Sequence, residues 1–228
     1  MIRQKLLPGL VVLLLMSGPA LAVTIDTFDQ GPMSLVLTAV GTTTDTVTGL
    51  NVIGGTRTMT LDVDFFGPSQ ANADVLVNSG VLYWNEDDGI RGSLTLNYSG
   101  SEGTPWDLTD GTTTHGILFG FQSDNHPWKL HIAVSDGVNT STYDATVGSI
   151  GNYVWGTYFA PYSGFSGTAN LASAQDLTIE FNSDFADGAG GDYSFDIIQT
   201  AIPEPVTMAG LLMGVGGLAG YFRKRRLV

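Results

Sequence analysis

The chain has 228 residues, which suits one large domain or two small ones, and it carries 22 acidic against 9 basic side chains. Residues 23–202 hold only three of the basic side chains, Arg57, Arg91 and Lys129, so this body has a formal charge of −18. That charge excludes binding to the phosphates of nucleic acids, and the lack of cysteine excludes disulfides and cysteine-bound zinc.

Residues 1–22 have the pattern of a secretory signal peptide. Two basic side chains precede an apolar run over residues 6–16, and Ala20 and Ala22 form a small-x-small cleavage site. We predict export by Sec-type machinery and cleavage before Val23 by signal peptidase. An uncleaved membrane anchor is the alternative, but the apolar run is short for a membrane span.

The body that follows is dominated by a hydrophobic period of two. Met59, Leu61 and Val63, for example, alternate with polar residues, which places one face of a strand in a core and the other in water. Glycine, Asn, Asp and Ser separate these segments, and no amphipathic helix of ten or more residues is evident. The predicted strands are 23–28, 34–40, 59–65, 74–78, 81–85, 94–98, 116–122, 129–134, 139–147, 153–159, 177–181 and 193–199.

About a dozen short strands with turn residues between them predict an all-β fold, an antiparallel β-sandwich. No Pro-rich or Ser-rich linker interrupts residues 23–201, so we expect a single domain over that range. The complete prediction is a signal peptide, this sandwich, and one C-terminal transmembrane helix.

Three segments near the end of the body suggest a more specific fold. They are residues 158–167 (YFAPYSGFSG), 176–181 (DLTIEF) and 192–198 (DYSFDII). This order resembles the closing strands of jelly-roll, galactose-binding-like carbohydrate-binding modules. The resemblance implies a jelly roll and makes sugar binding an expectation.

Aromatic side chains next to turns are the first candidates for sugar binding. A flat ring face stacks on a pyranose while nearby polar groups bind its hydroxyls. Trp106 and Trp128 lie beside turns and are the first choices, followed by Trp84, Trp155 and Tyr162. The alternative is that these rings cap the ends of the sandwich.

A Gly-rich acidic loop near the C-terminal end of the body has the composition of a calcium site, because calcium takes six to eight hard oxygen ligands. A flexible acidic loop is the alternative explanation. The candidate ligands are Asp184, Asp187, Asp192 and Asp196, with Asp26 or Asp29 close to Asp196 if the first and last strands are neighbours.

Two further arrangements are candidates for enzyme or metal sites. Glu86, Asp87 and Asp88 could supply a glycosidase acid and base, although a solvated turn explains three adjacent acids equally well. His126 and His131 could join a carboxylate in a zinc site, but no ligand spacing supports it. We therefore expect a protein that is not an enzyme, with a glycan-processing hydrolase as the alternative.

The C-terminal segment, residues 202–228, combines three elements in order. A Pro-Glu-Pro triplet precedes the uncharged stretch 206–222, which is about 25 Å long as a helix, and a basic cluster follows. The basic cluster predicts a cytoplasmic end. These elements are Pro203, Glu204 and Pro205, then Arg223, Lys224, Arg225 and Arg226.

This arrangement resembles the PEP-CTERM sorting signal of Gram-negative bacteria. The resemblance implies recognition by an exosortase, processing near the triplet, and release from the inner membrane to the cell surface, outer membrane or medium. It also implies a role in extracellular polysaccharide, biofilm or floc. A plain tail anchor is the alternative.

Together these features predict an exported, non-catalytic surface or matrix protein that binds carbohydrate. A purely structural matrix protein is a further alternative. Because the body has only three bases, a neutral glycan is a better ligand than an anionic polysaccharide.

Overall fold

The computed structural model describes residues 22–67, 72–100, 104–109, 111, 116–124, 126–150, 153–183 and 190–201. Ala22 and Val23 of the predicted cleavage site begin this range. Ala20, the sorting signal over 202–228, Asp184 and Asp187 lie outside the described residues. Within the described ranges, no helix is long and apolar enough to cross a membrane.

The described residues confirm the predicted all-β sandwich: they form fourteen strands and two short 3-10 helices, at Tyr162–Gly164 and Leu171–Ser173. The strands are β1 (Thr24–Asp26), β2 (Met33–Leu37), β3 (Gly41–Thr48), β4 (Gly55–Phe66), β5 (Ala73–Asn78), β6 (Val81–Glu86), β7 (Ile90–Gly100), β8 (Gly116–Ser123), β9 (Trp128–Ser135), β10 (Thr140–Val147), β11 (Gly156–Pro161), β12 (Ser166–Gly167), β13 (Asp176–Asn182) and β14 (Asp192–Ala201).

The strands make two antiparallel sheets of seven strands each. Sheet 1 has the order β11-β8-β14-β6-β5-β2, with β1 also paired to β14, and sheet 2 has the order β12-β10-β9-β13-β7-β4-β3. The first and last strands are therefore neighbours. The Val23 amide donates to the Thr200 hydroxyl (2.8 Å), and the Thr200 amide donates to the Val23 carbonyl (2.8 Å).

The core lies between the two sheets and follows the period-two pattern of the sequence. In sheet 2, Leu94 faces Leu61 on one side and Phe181 on the other, and all three side chains are buried. Trp128 connects the layers, because its ring meets Phe121 and Phe195 of sheet 1 edge-on, at centroid distances of 5.4 and 5.6 Å. Such edge-to-face contacts add to the stabilisation from area burial alone.

A buried ion pair joins the N-terminal strand to the opposite sheet. The Arg57 guanidinium lies 2.7 Å from the Asp26 carboxylate, and both side chains are excluded from solvent. Arg57 also donates to the carbonyls of Gln30 (2.9 Å) and Gly31 (2.6 Å), and the Tyr98 hydroxyl donates to Asp26 (3.1 Å). These bonds offset the cost of taking two charges out of water.

Replacing Arg57 with Met should therefore destabilise the fold by about 3–5 kcal/mol, since it leaves the Asp26 carboxylate buried without its partner. Urea denaturation of the purified body measures the loss. Arg91→Met is the matched control, because the Arg91–Asp64 pair (3.2 Å) is partly exposed and should be worth about 1 kcal/mol or less. Equal losses in the two variants would contradict this account.

Candidate ligand-binding face

The structure contradicts two of the predicted sugar platforms. Trp84 and Trp128 are completely buried, so neither ring offers a face to a ligand. Trp84 points into the sandwich and packs on Tyr193 with ring centroids 4.9 Å apart. Both residues sit at inward positions of their strands, so the strand period, and not the nearby turn, decides where they point.

Trp106 is half-buried and closes one end of the sandwich. Its backbone forms an isolated bridge with Ala174. The Trp106 amide nitrogen lies 2.7 Å from the Ala174 carbonyl oxygen, and the Ala174 amide nitrogen lies 2.9 Å from the Trp106 carbonyl oxygen. Its ring covers Gly54 so closely that an added Cβ there would lie 2.4 Å from the ring. Trp106 thus caps an end of the sandwich, which was the alternative to sugar binding for the tryptophans.

The outer face of sheet 1 carries three exposed aromatic rings. Tyr153 is 56% exposed and Trp155 is 46% exposed, both in the segment between β10 and β11. Tyr83, on β6, is 38% exposed. The sequence named Trp155 as a secondary candidate and did not single out the two tyrosines.

Tyr153 is held in an unusual backbone conformation. Its φ is +54°, in the left-handed region that an aromatic residue rarely occupies. Its N–H donates to the Ser123 carbonyl (3.0 Å), its carbonyl accepts from the Gln122 amide, and its hydroxyl donates to Asp192 (3.0 Å). Neighbours on β8 and β14 therefore fix the ring in place, and strained backbone of this kind concentrates at functional sites.

Strand register places polar groups between the exposed rings. Tyr83 pairs with Ser194, and Ser194 pairs with Gln122 on the next strand. Trp155 directly precedes Gly156 of β11. Gly156 pairs with Phe121 of β8, and Phe121 is next to Gln122 in the chain. At a strand spacing of about 4.8 Å, the two ends of this row are about 14 Å apart. We call Tyr83, Ser194, Gln122, Tyr153 and Trp155 the aromatic strip.

A cavity of about 320 Å³ adjoins the strip at the start of β14. Asp192 belongs to both, because it lines the cavity and accepts the Tyr153 hydroxyl. Burial raises the pKa of Asp192, the hydrogen bond from Tyr153 lowers it by less, and the negative charges of Asp124, Asp74 and Asp87 raise it by smaller amounts. We call this the acidic cavity; its lining residues are Glu86, Asp87, Asp88, Asp124, Gly190 and Asp192.

Glu86 is the buried member of this group, with 4% of its surface exposed. The Ser183 hydroxyl beside it donates to the Gly92 carbonyl (3.1 Å), and neither carboxyl oxygen of Glu86 has a hydrogen-bond partner. Burial raises the pKa of Glu86 to about 7; Ser183 lowers it by less, and the charge of Asp64 raises it. The carboxyl oxygens of Glu86 are thus buried away from water.

The predicted metal ligands are not brought together in the described part of the chain, and Asp184 and Asp187 lie outside it. β1 and β14 are neighbours as expected, but Asp26 is engaged by Arg57, and Asp196 lies on the outer face against Gly120. His126 pairs with Asp124 (3.0 Å), whereas His131 pairs with Asp144 (2.7 Å) on the outer face of sheet 2. Among the described residues, no three His, Asp or Glu side chains could hold a metal ion together.

The outer face of sheet 2 has a larger groove of about 670 Å³, but its lining includes no aromatic ring. It is lined by Lys129, Leu130, His131, Asp144, Ala145, Thr146, Glu180 and Asn182. A groove of this composition can bind through hydrogen bonds and charge but cannot stack on a sugar ring. The aromatic strip is therefore the stronger candidate for a ligand site.

No family model and no curated protein matches this chain. Among solved structures, the family 30 carbohydrate-binding module of the cellulosomal cellulase Cel9D-Cel44B of Clostridium thermocellum is 14% identical, over 81% of this chain and 99% of that one, with a TM-score of 0.44. The family 11 carbohydrate-binding module from the same organism, in complex with a beta-1,3-1,4-mixed-linked tetrasaccharide, is 15% identical over 79% and 95%, with a TM-score of 0.39.

PfGH50B is 15% identical over 63% of this chain, with a TM-score of 0.42, and the match spans only 23% of its own length. At such identities and TM-scores, likeness does not transfer a ligand or an activity from these proteins to this chain.

The buried acid makes a prediction about stability. The pKa of Glu86 rises from 4.5 in the unfolded chain to about 7 in the fold. The contribution of Glu86 to the free energy of unfolding is therefore fully present below pH 4.5 and is lost as pH rises through 7. The side chain of the Glu86→Gln variant cannot ionise. By about pH 8, the free energy of unfolding of this variant should therefore exceed that of the wild type by up to about 3 kcal/mol. Urea denaturation across this range measures the difference; a difference that does not change with pH would contradict it.

Proposed function

We propose that the body is a non-catalytic module that binds a neutral oligosaccharide along the aromatic strip. The observation that carries this proposal is Tyr153: Asp192 holds its exposed ring at the hydroxyl, and two further hydrogen bonds hold its strained backbone. A ring already fixed before binding loses little conformational freedom when a sugar stacks on it. Trp155 lies two residues along the chain and supplies a second exposed ring.

The polar groups between the rings support the same ligand class. Ser194 and Gln122 lie between Tyr83 and the Tyr153–Trp155 segment, where sugar hydroxyls need partners. The span of about 14 Å suits a short oligosaccharide rather than a single sugar. The −18 charge of the body disfavours an anionic polysaccharide, because the described surface near the strip offers it no arginine or lysine.

The exposed rings can be tested individually. Tyr153→Ala and Trp155→Ala should each weaken binding to the best neutral glycan on an array by about tenfold or more, because each removes a stacking surface. Phe65→Ala is the matched control, since Phe65 is similarly exposed on sheet 2, and it should bind normally. Measurements with calcium and with a chelator test the predicted calcium ion in the 184–192 loop. Equal weakening in all three variants would count against the strip.

A glycan-processing hydrolase is the second candidate, favoured by the raised pKa of Glu86 beside other carboxyls. Its 4% exposure argues against contact with a substrate. Release of reducing ends from a bound glycan, abolished in Glu86→Gln, would establish the hydrolase. A protein that neither binds nor cleaves any glycan would be the purely structural matrix protein.

The proposal includes export and sorting. Cleavage before Val23 would leave the mature chain starting one residue before β1, and an exosortase would act at Pro203-Glu204-Pro205, just beyond β14 in sequence. We infer a transient inner-membrane anchor over 206–222, a jelly-roll body, and delivery to the cell surface or extracellular polysaccharide of a Gram-negative cell.

Deleting residues 203–228 should redirect the protein to the periplasm or medium, as fractionation would show; an unchanged location would refute the sorting signal.

A further inference from the structure

The aromatic strip continues beyond Tyr83 across the rest of sheet 1. Tyr83 pairs with Leu76 on β5, and Leu76 pairs with Ser34 on β2, the strand at one end of the sheet order. The alternation of buried and exposed residues along β2, β5 and β6 places these three side chains on the same outer face. We call the complete line across the sheet the outer row; its residues are Ser34, Leu76, Tyr83, Ser194, Gln122 and Trp155.

Two exposed aliphatic side chains extend the apolar surface of the strip toward β2. Leu76 is 39% exposed and Val36 is 51% exposed. Directly paired residues of antiparallel strands have Cβ atoms about 4.5–5.5 Å apart, so Leu76 lies next to Tyr83. Val36 is diagonal to Leu76, because Ser34, two positions earlier on β2, is the direct partner of Leu76. Exposed apolar side chains that adjoin one another, unlike scattered ones, mark binding sites.

A line of polar groups runs beside the outer row. Asp74 on β5 pairs with Asn85 on β6, and Asn85 pairs with Asp192 on β14. The Asn85 amide donates to the Asp74 carboxylate (3.0 Å), and the Asp192 carboxylate accepts from the Tyr153 hydroxyl (3.0 Å). Amide and carboxylate groups are the partners that sugar hydroxyls need. The face thus offers apolar contacts in one line and hydrogen-bonding groups in the next.

The outer row is long enough for a chain of about five sugar units. It runs from β2 to the residue before β11, and five strand spacings of about 4.8 Å give about 24 Å. The aromatic strip alone covers about 14 Å, so Leu76 and Ser34 add about 10 Å. One strand spacing is close to the length of one pyranose unit in an extended chain. The row therefore presents side chains at the interval at which an unbranched glycan repeats.

We propose that the ligand is an unbranched neutral glycan of at least five units that lies across the strands along the whole outer row, with Leu76 in contact with the units beyond the aromatic strip. This inference rests on the proposed function and adds the length of the ligand and the direction in which it lies. Tyr153 and Trp155 contact one end of the bound chain, and Leu76 and Val36 contact the other. The ligand class stays neutral, because the added part of the face brings no basic side chain.

A series of oligomers of increasing length tests this inference. Linear β-1,4-glucan, β-1,3-glucan and β-1,4-mannan oligomers of two to seven units are titrated into the full-length protein by calorimetry. In a series that binds, affinity should rise by about tenfold between three and six units and then stay constant, because the row is then full. An affinity that stops rising at three units would overturn the inference and leave the sugar-binding module standing.

The variant Leu76→Ala separates the two parts of the row. It should weaken binding of the six-unit oligomer by about fivefold and leave binding of the three-unit oligomer unchanged, because three units occupy only the aromatic strip. Val138→Ala is the matched control, since Val138 is an exposed aliphatic residue in the turn between β9 and β10, and both oligomers should bind it normally. Equal weakening for the two oligomers, or none for the longer one, would contradict the proposed path of the chain.

The variant Ser34→Trp tests the far end of the row by addition. Ser34 is exposed on β2, and strand positions accommodate aromatic side chains well. The added ring should strengthen binding of the six-unit oligomer by about threefold and leave the three-unit oligomer unaffected. An unchanged affinity for the six-unit oligomer would show that the chain does not reach β2. Thermal denaturation checks that each variant is folded.

The remaining outcomes separate this inference from the proposed function. If only branched glycans bind, and Tyr153→Ala weakens that binding, the length and direction proposed here are wrong while the module stands. If no neutral glycan binds, both the inference and the proposed function are wrong.

Discussion

The buried pair of Asp26 and Arg57 is the interaction on which the arrangement of the two sheets depends. Asp26 belongs to β1, which hydrogen-bonds to β14 in sheet 1, whereas Arg57 lies on β4 in sheet 2. The pair therefore connects the sheets through a buried charge contact. It also consumes one of the three basic side chains of residues 23–202, which leaves the surface strongly acidic.

The position of β14 then determines the candidate site. Its C-terminal half is held by β1, and its N-terminal half lies between β6 and β8. Asp192 at its first position can therefore accept the Tyr153 hydroxyl while it lines the acidic cavity. β14 thus anchors the hydroxyl of Tyr153 and places the Asp192 carboxylate at the edge of the aromatic strip.

The fold could be predicted from the sequence because most strands alternate apolar and polar residues. All twelve predicted strands overlap observed ones, whereas β3 and the two-residue β12 were missed. β3 reads GTTTDTVT, and threonine occupies both its faces, so it has no hydrophobic alternation to detect. A strand at the edge of a sheet needs less apolar surface than a central one, which is why this sequence still forms a strand.

The site was less predictable, because exposure depends on which face of a strand a residue occupies. Trp128 follows a turn yet points inward, while Trp155 lies on the outer face. A register row of sheet 2, Thr44, Thr60, Thr95, Glu180, His131 and Asp144, contains no aromatic residue. The outer face of sheet 2 thus offers mainly hydroxyls and charges, with Phe65 as an exposed ring, whereas sheet 1 brings Tyr83, Tyr153 and Trp155 together in one strip. Several rings in one strip can stack on successive sugar units, which makes sheet 1 the face where selectivity between glycans should arise.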